Sequence, residues 1–284
     1  LRRSARVASR WRHGHAREGL RCNASYLRAA VSTHAAIVTA AVPARGAALP
    51  TDRAVSRFCI VSGLTLDRAA LDNDLHKAYL SIAYRGVSQY ANLHGYSFNP
   101  IFFAARHEHI GVQRCRMTQQ LFRRNQCDWA FWYEGYMAIT NYSTRLETLV
   151  LAAAPTAATE LIFSRDMHGN INTGSGFVRN SPSTLATLEC IIEMQQTEKH
   201  SEEVLLWEHN GAIARLYDTY GGLWRQKILL AQQRLFNAYD SNWRPGDFMV
   251  HFPGIHKSGM HAWLKAHPPE TWIGFEEFRI ASTH

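Results

Sequence analysis

Three segments of the chain place groups capable of chemistry where apolar runs end. In FWYEGY, Glu134 follows the aromatic stretch of Trp129 to Tyr133 and precedes Gly135 and Tyr136. A carboxylate at a strand end is a hard oxygen donor, suited to a divalent cation. In DFMVHFPG the alternation of Phe248, Val250 and Phe252 puts His251 on the opposite face of the strand. Its imidazole can ligate a metal or sit beside a phosphate. In NINTGSGFVRN, Asn170 and Asn172 bring amides, while Gly174 and Gly176 let the backbone approach closely, a combination that suits reading sugar hydroxyls. Lys257, just past the Pro253-Gly254 turn, offers a point charge to a diphosphate.

Each of these residues has an ordinary structural reading beside the chemical one. A Glu at a strand end is commonly solvated, and Tyr136 can simply pack. A phenol with a pKa near 10 stays protonated at neutral pH, so Tyr136 is a poor substitute for an acid. A lone His is often hydrogen-bonded in a core, and a Gly/Asn-rich stretch is often a polar turn. Glu208, in LLWEHNGAIARLY, serves equally as a helix N-terminal acid favoured by the macrodipole. Arg114 and Lys257 can be solvated surface cations.

The elements that must position these groups are legible from periodicity. RFCIVSGL (57–64) reads as a buried first strand halted by Ser62 and Gly63, its end free to face a nucleotide. Leu75, Tyr79, Ile82, Ala83, Val87 and Tyr90 fall at helical spacing and stop at His94-Gly95. A strand over 96–104, a helix over 112–124 and the strand of 129–133 follow. Strand, helix, strand, helix, strand in this order argues a doubly wound α/β sheet with parallel strands, whose ligands bind beyond the strands' carboxyl ends. Further on, the sequence predicts a helix over 144–153, a strand at 161–165, and a Gly/Asn-rich loop leading into a strand at 176–180. Helices follow over 182–195 and 202–217, then strands at 227–231 and 247–252. Residues 54–284 read as one domain.

Charge separates this body from what precedes it. The chain has 284 residues and a formal charge of +8. Residues 1–53 carry ten arginines against Glu18 and Asp52, so the remainder is neutral. The leader has the Arg/Ala/Ser composition of a disordered or targeting segment, and with only Trp11 and Tyr26 as aromatics it lacks the stacking residues of a nucleic-acid binder. No nucleic-acid partner is expected. The apolar run from Ala35 to Val42 is too short to span a bilayer, which needs about 18 residues. Five cysteines without CxxC spacing indicate neither a zinc site nor a disulfide framework and are expected mostly as small core residues. Sequons at Asn23 and Asn141 permit glycosylation in a secretory compartment.

Taken in order, NLHGYSF (92–98), FWYEGYMAITN (131–141), DMHGNINTGSGFVRN (166–180) and GDFMVHFPG (246–254) resemble glycosyltransferase family 34, the galactosyl-, xylosyl- and mannosyltransferase group. The resemblance runs from about Arg57 to His267. It implies a GT-A fold, a Rossmann-like mixed sheet flanked by helices, that binds a UDP- or GDP-sugar and a divalent metal, usually Mn²⁺. It further implies transfer of a hexosyl or pentosyl unit with retention to an oligo- or polysaccharide acceptor. Family members are usually Golgi-lumenal type II membrane proteins; no anchor is visible in this sequence, and because the chain opens on Leu1, not Met, the resemblance leaves room for one in a segment ahead of it.

Carried over residue by residue, the resemblance assigns metal binding to Glu134 and His251. It places Asn172, Thr173 and Gly174 against the donor sugar and phosphates, makes Glu208 the candidate catalytic acid, and puts Arg114 where the family carries a Lys. Three positions depart from the pattern. The family's Asp-x-Asp reads Glu134-Gly135-Tyr136 here, its Asp-Asp-Gln or Glu-Gln stretch reads Glu208-His209-Asn210, and its Trp and Lys read Val112 and Arg114. Two readings therefore stand: an active transferase with a weakened metal site, or the same fold kept as a nucleotide-sugar, glycan or partner-binding scaffold.

Overall fold

The computed structural model describes residues 56–65, 74–103, 109–197, 202–219, 222–253 and 259–275. The basic leader and Lys257 lie outside the described residues. The first five elements follow the expected order: β1 (Phe58–Thr65), α1 (Asp74–His94), β2 (Ser97–Phe103), α2 (Ile110–Arg123) and β3 (Trp129–Glu134). Helix α1 ends where Gly95 takes a left-handed φ of 72°, which costs a residue without Cβ nothing. Helix α2 starts on His109, whose Nδ1 accepts the Gly111 N–H at 3.2 Å. One correction concerns β1: it runs through to Thr65, and Ser62 and Gly63 are buried mid-strand residues registered against Tyr133 and Glu134 of β3. At Gly63 a Cβ would lie 2.6 Å from Ile110, so its lack of a side chain admits the start of α2.

After β3 the chain turns through Gly135 and Tyr136 into β4 (Met137–Ile139), a turn fastened by the Tyr133 hydroxyl donating to the Met137 carbonyl at 2.5 Å. Then come α3 (Leu146–Ala152), β5 (Leu161–Arg165), β6 (Ile171–Arg179), α4 (Pro182–Thr197), α5 (Glu202–Thr219), α6 (Gly222–Lys227) and β7 (Ile228–Ala231). Short elements follow: α7 (Gln233–Phe236), β8 (Ala238–Tyr239), β9 (Met249–His251) and α8 (Met260–Ala266). A second correction concerns the Gly/Asn-rich segment. Only 166–170 is a turn, because Asp166 accepts the backbone N–H groups of His168 and Asn170, both at 2.8 Å; Asn172, Thr173 and Gly174 already belong to β6.

The main sheet has the order β2-β1-β3-β6-β5-β7. Strands β2, β1 and β3 are parallel, β6 is antiparallel to both β3 and β5, and β7 is parallel to β5. The sheet is thus mixed, and the reversal of β6 brings its beginning to the carboxyl end of β3. Both faces are covered. In β3, Trp129, Phe131 and Tyr133 enter one core with α1, β4 and β9, while Ala130 and Trp132 enter the other with α2, α4 and α5. That is why β3 reads as an unbroken apolar run. Each such large side chain contributes roughly 1.5–3 kcal/mol by leaving water. A smaller sheet, β4-β9-β8, sits beside the β3 end, with His251 registered against Met137 and Tyr239.

The cysteine expectation is corrected as well: Cys59 and Cys127 form a disulfide with Cα atoms 5.7 Å apart. Cys127 lies two residues before β3, the parallel neighbour of β1, and the two strands bring it within bridging distance of Cys59; sequence spacing does not show this. Cys115 is a buried free thiol whose pKa burial pushes up to about 12. Asn141 has both amide atoms engaged, its Nδ2 donating to Gly246 O at 3.0 Å and its Oδ1 accepting Ser143 N–H at 3.1 Å. No helix among the described residues is long and apolar enough to cross a membrane.

Candidate functional site

Glu134 closes β3, and His251 closes β9. The pairing of β4 with β9, extended by the Phe252 N–H donating to Tyr136 O at 3.0 Å, carries the imidazole to the turn that Glu134 opens. The result is a Glu134 Oε2 to His251 Nε2 separation of 3.4 Å. His251 is almost fully buried, at 1% side-chain exposure, whereas the Glu134 carboxylate reaches solvent at 35%. His251 Nε2, although within ion-pair distance of the carboxylate, makes no hydrogen bond.

Gly174 forms the floor between these two groups. A Cβ built there would stand 2.6 Å from Glu134 Oε2, 2.8 Å from His251 Cε1 and 3.1 Å from Asn172 Oδ1. No side chain fits without displacing one of them, so glycine at this position keeps the space between carboxylate and imidazole open. Asn172 is buried; its Oδ1 accepts the Gly174 N–H at 2.9 Å and its Nδ2 donates to Tyr239 Oη at 2.8 Å. Thr173 donates its N–H to Asn210 Oδ1 at 2.8 Å and its hydroxyl to the same oxygen, which ties α5 to the site. Burial, the nearby charge of Asp166 and, to a smaller extent, that of Glu134 raise the pKa of the Tyr239 phenol, keeping it protonated.

Arg114 does not project into solvent from α2. It is among the largest fully buried side chains, at 1% exposure, with Nη1 donating to Thr173 O at 3.1 Å and its guanidinium 5.4 Å from the Trp132 ring centroid. The solvated-helix reading is therefore overturned, and Arg114 places positive charge under the strand that carries Asn172 to Gly174. Ser62 and Gly63 lie one strand away at the same sheet end. Glu208 sits on α5, two positions before Asn210. The structure brings together Glu134, His251, Asn172, Thr173, Gly174 and Arg114. Asn210, Asn237 and Tyr239 also belong to this cluster; the last two are not legible in the sequence, because the cap of a four-residue helix and the end of a two-residue strand leave no periodic trace.

The donor set can be tested against a divalent cation. Two donors bound to one small cation at about 2.1 Å each stand roughly 3.0–3.4 Å apart, depending on the angle between them. Glu134 and His251 match that spacing, and the buried Nε2, which makes no hydrogen bond, lies on the carboxylate side of the ring. Tyr136, half-buried against the core, adds no acid. No cluster of three or more His, Cys, Asp or Glu suited to a metal occurs among the described residues. Two protein donors completed by water and phosphate oxygens is nevertheless a usual arrangement for hard cations at phosphate sites. The residues present fit a weakly held ion.

Residues 152–262, spanning β6, α5 and β9, match the galactosyl transferase GMA12/MNN10 family. No curated protein matches the chain. Among solved structures it is similar to a glycosyltransferase involved in the glycosylation of the major capsid of PBCV-1, with a TM-score of 0.58 and 13% identity over 74% of this chain and 99% of that one. It is also similar to the glycosyltransferase GlyE of Streptococcus pneumoniae TIGR4, with a TM-score of 0.47 and 9% identity over 78% of this chain and 62% of that one. Residues 152–262 thus resemble that transferase family, and the first of these structures shows that the chain has the fold of a known glycosyltransferase.

Proposed function

We propose that this family-34-like chain transfers a glycosyl unit from a UDP- or GDP-sugar to an oligo- or polysaccharide acceptor with retention, using a divalent cation, Mn²⁺, held by Glu134 and His251. One observation carries the reading. Glu134 Oε2 and His251 Nε2 meet at 3.4 Å beyond the carboxyl end of an inner strand, on a floor that only glycine permits. When bound, the cation would neutralise the negative charge that develops on a diphosphate leaving group.

The chain's own residues supply the rest. Asn172, Thr173 and Gly174 form the wall against which donor sugar and phosphates would lie, and the buried Arg114 guanidinium adds positive potential beneath it. Glu208, on the helix that Asn210 ties to this wall, is the candidate acid. It would stabilise the positive charge that grows at the sugar carbon as the glycosidic bond opens. The Cys59–Cys127 disulfide suits an oxidising compartment and supports the proposed Golgi-lumenal location.

A binding scaffold without turnover is the second reading, favoured by Tyr136 in place of a second acid. Calorimetric titration of UDP- and GDP-sugars with and without Mn²⁺, followed by a donor-hydrolysis assay, separates the two. Metal-dependent binding with release of free sugar supports the transferase. Binding without release supports the scaffold, and absence of nucleotide binding in either condition refutes both.

A further inference from the structure

We propose that Asn237, held in one orientation by Asn172, is a positioning residue that fixes the tautomer of His251 with the proton on Nδ1 and the lone pair on Nε2. The inference rests on the metal reading for its purpose, though not for its geometry. A histidine beside a carboxylate, left to itself, turns an N–H toward that carboxylate. Here the opposite nitrogen is claimed first: His251 Nδ1 lies 2.7 Å from Asn237 Oδ1.

Hydrogen-bond partners fix amide orientation and imidazole tautomer, and the network here is anchored on a group with no freedom. The Gly174 backbone N–H can only donate, and it meets Asn172 Oδ1 at 2.9 Å, so that atom is the carbonyl oxygen. Asn237 approaches the same oxygen at 3.1 Å and must present its Nδ2 there; the same Nδ2 group also donates to Ser164 Oγ at 2.7 Å. Both amide protons are then used, and the remaining atom, Oδ1, can only accept. His251 Nδ1 must therefore carry the hydrogen.

Reversing Asn237 would set two buried carbonyl oxygens against each other, and reversing Asn172 would set its NH₂ against the Gly174 N–H. The chain Gly174, Asn172, Asn237, His251 has one satisfied state. Every side chain in it is buried: Asn172 is 8% exposed, Asn237 0% and His251 1%. An unsatisfied buried polar group costs about 1–3 kcal/mol. The Tyr239 ring, edge-on to the imidazole with centroids 5.5 Å apart, restrains its rotation. In the neutral imidazole the consequence is a bare Nε2 on the Glu134 side, the form of histidine a metal requires; outer partners of this kind typically change metal affinity 10- to 100-fold.

The test is the ¹⁵N–¹H correlation spectrum of the metal-free full chain labelled at histidine, with His251 assigned by its loss in His251→Gln. The expected spectrum shows a protonated Nδ1 and an unprotonated Nε2; a protonated Nε2 in the wild type overturns the proposal, and this reading needs no variant. In Asn237→Leu the proton is expected to move to Nε2, toward Glu134, and Mn²⁺ affinity to fall about 10- to 100-fold. Unchanged tautomer and unchanged affinity in Asn237→Leu also overturn it. If the tautomer behaves as expected and neither protein binds Mn²⁺, the relay stands and the metal assignment of the preceding section falls.

Discussion

The Gly174→Ala variant probes the site with a single methyl group. Its Cβ would approach Glu134 Oε2 to 2.6 Å and His251 Cε1 to 2.8 Å, about 0.5 Å inside the closest normal contact. The carboxylate is the end of a flexible, partly exposed side chain and can swing outward. The imidazole is buried and tethered to Asn237, so it must shift by a few tenths of an ångström. Overpacking of this kind costs about 1–3 kcal/mol. For a body of this size that is a fall in Tm of a few degrees, at about 2–4 °C per kcal/mol. The fold should survive while the separation of carboxylate and imidazole does not. Differential scanning calorimetry with and without Mn²⁺ and UDP reads both effects. At ligand concentrations near 100 times Kd, the wild type should gain about 2.7 kcal/mol, or roughly 5–10 °C, and Gly174→Ala should gain nothing measurable. Gly176→Ala is the contrast: its Cβ would lie 2.5 Å from the Ile162 carbonyl and 2.3 Å from Phe163, both unyielding, so it should fail to fold stably. A Gly174→Ala protein that keeps the full ligand-dependent shift would show that the space between Glu134 and His251 is not where ligand binds.

Other outcomes follow from the same structure. Tyr136→Asp, which restores a second acid at the turn, should tighten Mn²⁺ binding by roughly tenfold, the scale on which ligand charge tunes such sites; unchanged affinity in a calorimetric titration would place position 136 outside the coordination sphere. Lys227, whose Nζ lies 3.3 Å from the buried Glu160 carboxylate, should lose about 3–5 kcal/mol as Lys227→Met. Denaturant unfolding should find Lys227→Met/Glu160→Leu more stable than the single variant. Burial raises the Glu147 pKa, but hydrogen bonds from the Tyr96 hydroxyl at 2.5 Å and from Arg145 outweigh it and hold the carboxyl below its ordinary value. A depressed carboxyl stabilises the fold above its unfolded pKa, near 4.3, and that stability is lost as pH falls through the folded value. Tyr96→Phe should therefore flatten the acid limb of a stability profile below about pH 4; a curve parallel to wild type would refute the pairing.

The fold was legible where burial is two-sided and long. The unbroken aromatic run of β3 and the helical spacing of α1 need no tertiary information to be read, because local sequence repeats what the core demands. The reversal of β6 was not legible. Nothing in NINTGSGFVRN separates a glycine-rich loop from a strand whose glycines admit the Glu134 carboxylate at 174 and the Phe163 ring at 176. Glu134 and His251 stood out individually by type and by their place at strand ends. Their meeting depends on the three-residue pairing of β4 with β9, too short to leave a pattern. Asn237 was invisible for the same reason, and Arg114 read as a surface residue because helical spacing alone does not reveal that its face lies under β6.

Crystals of the full chain grown with Mn²⁺ and UDP, measured at the manganese absorption edge, locate the cation itself. One anomalous peak is expected within bonding distance of both Glu134 Oε2 and His251 Nε2, beside the diphosphate. A diphosphate bound with no peak there, or a peak that touches neither residue, would contradict the metal assignment.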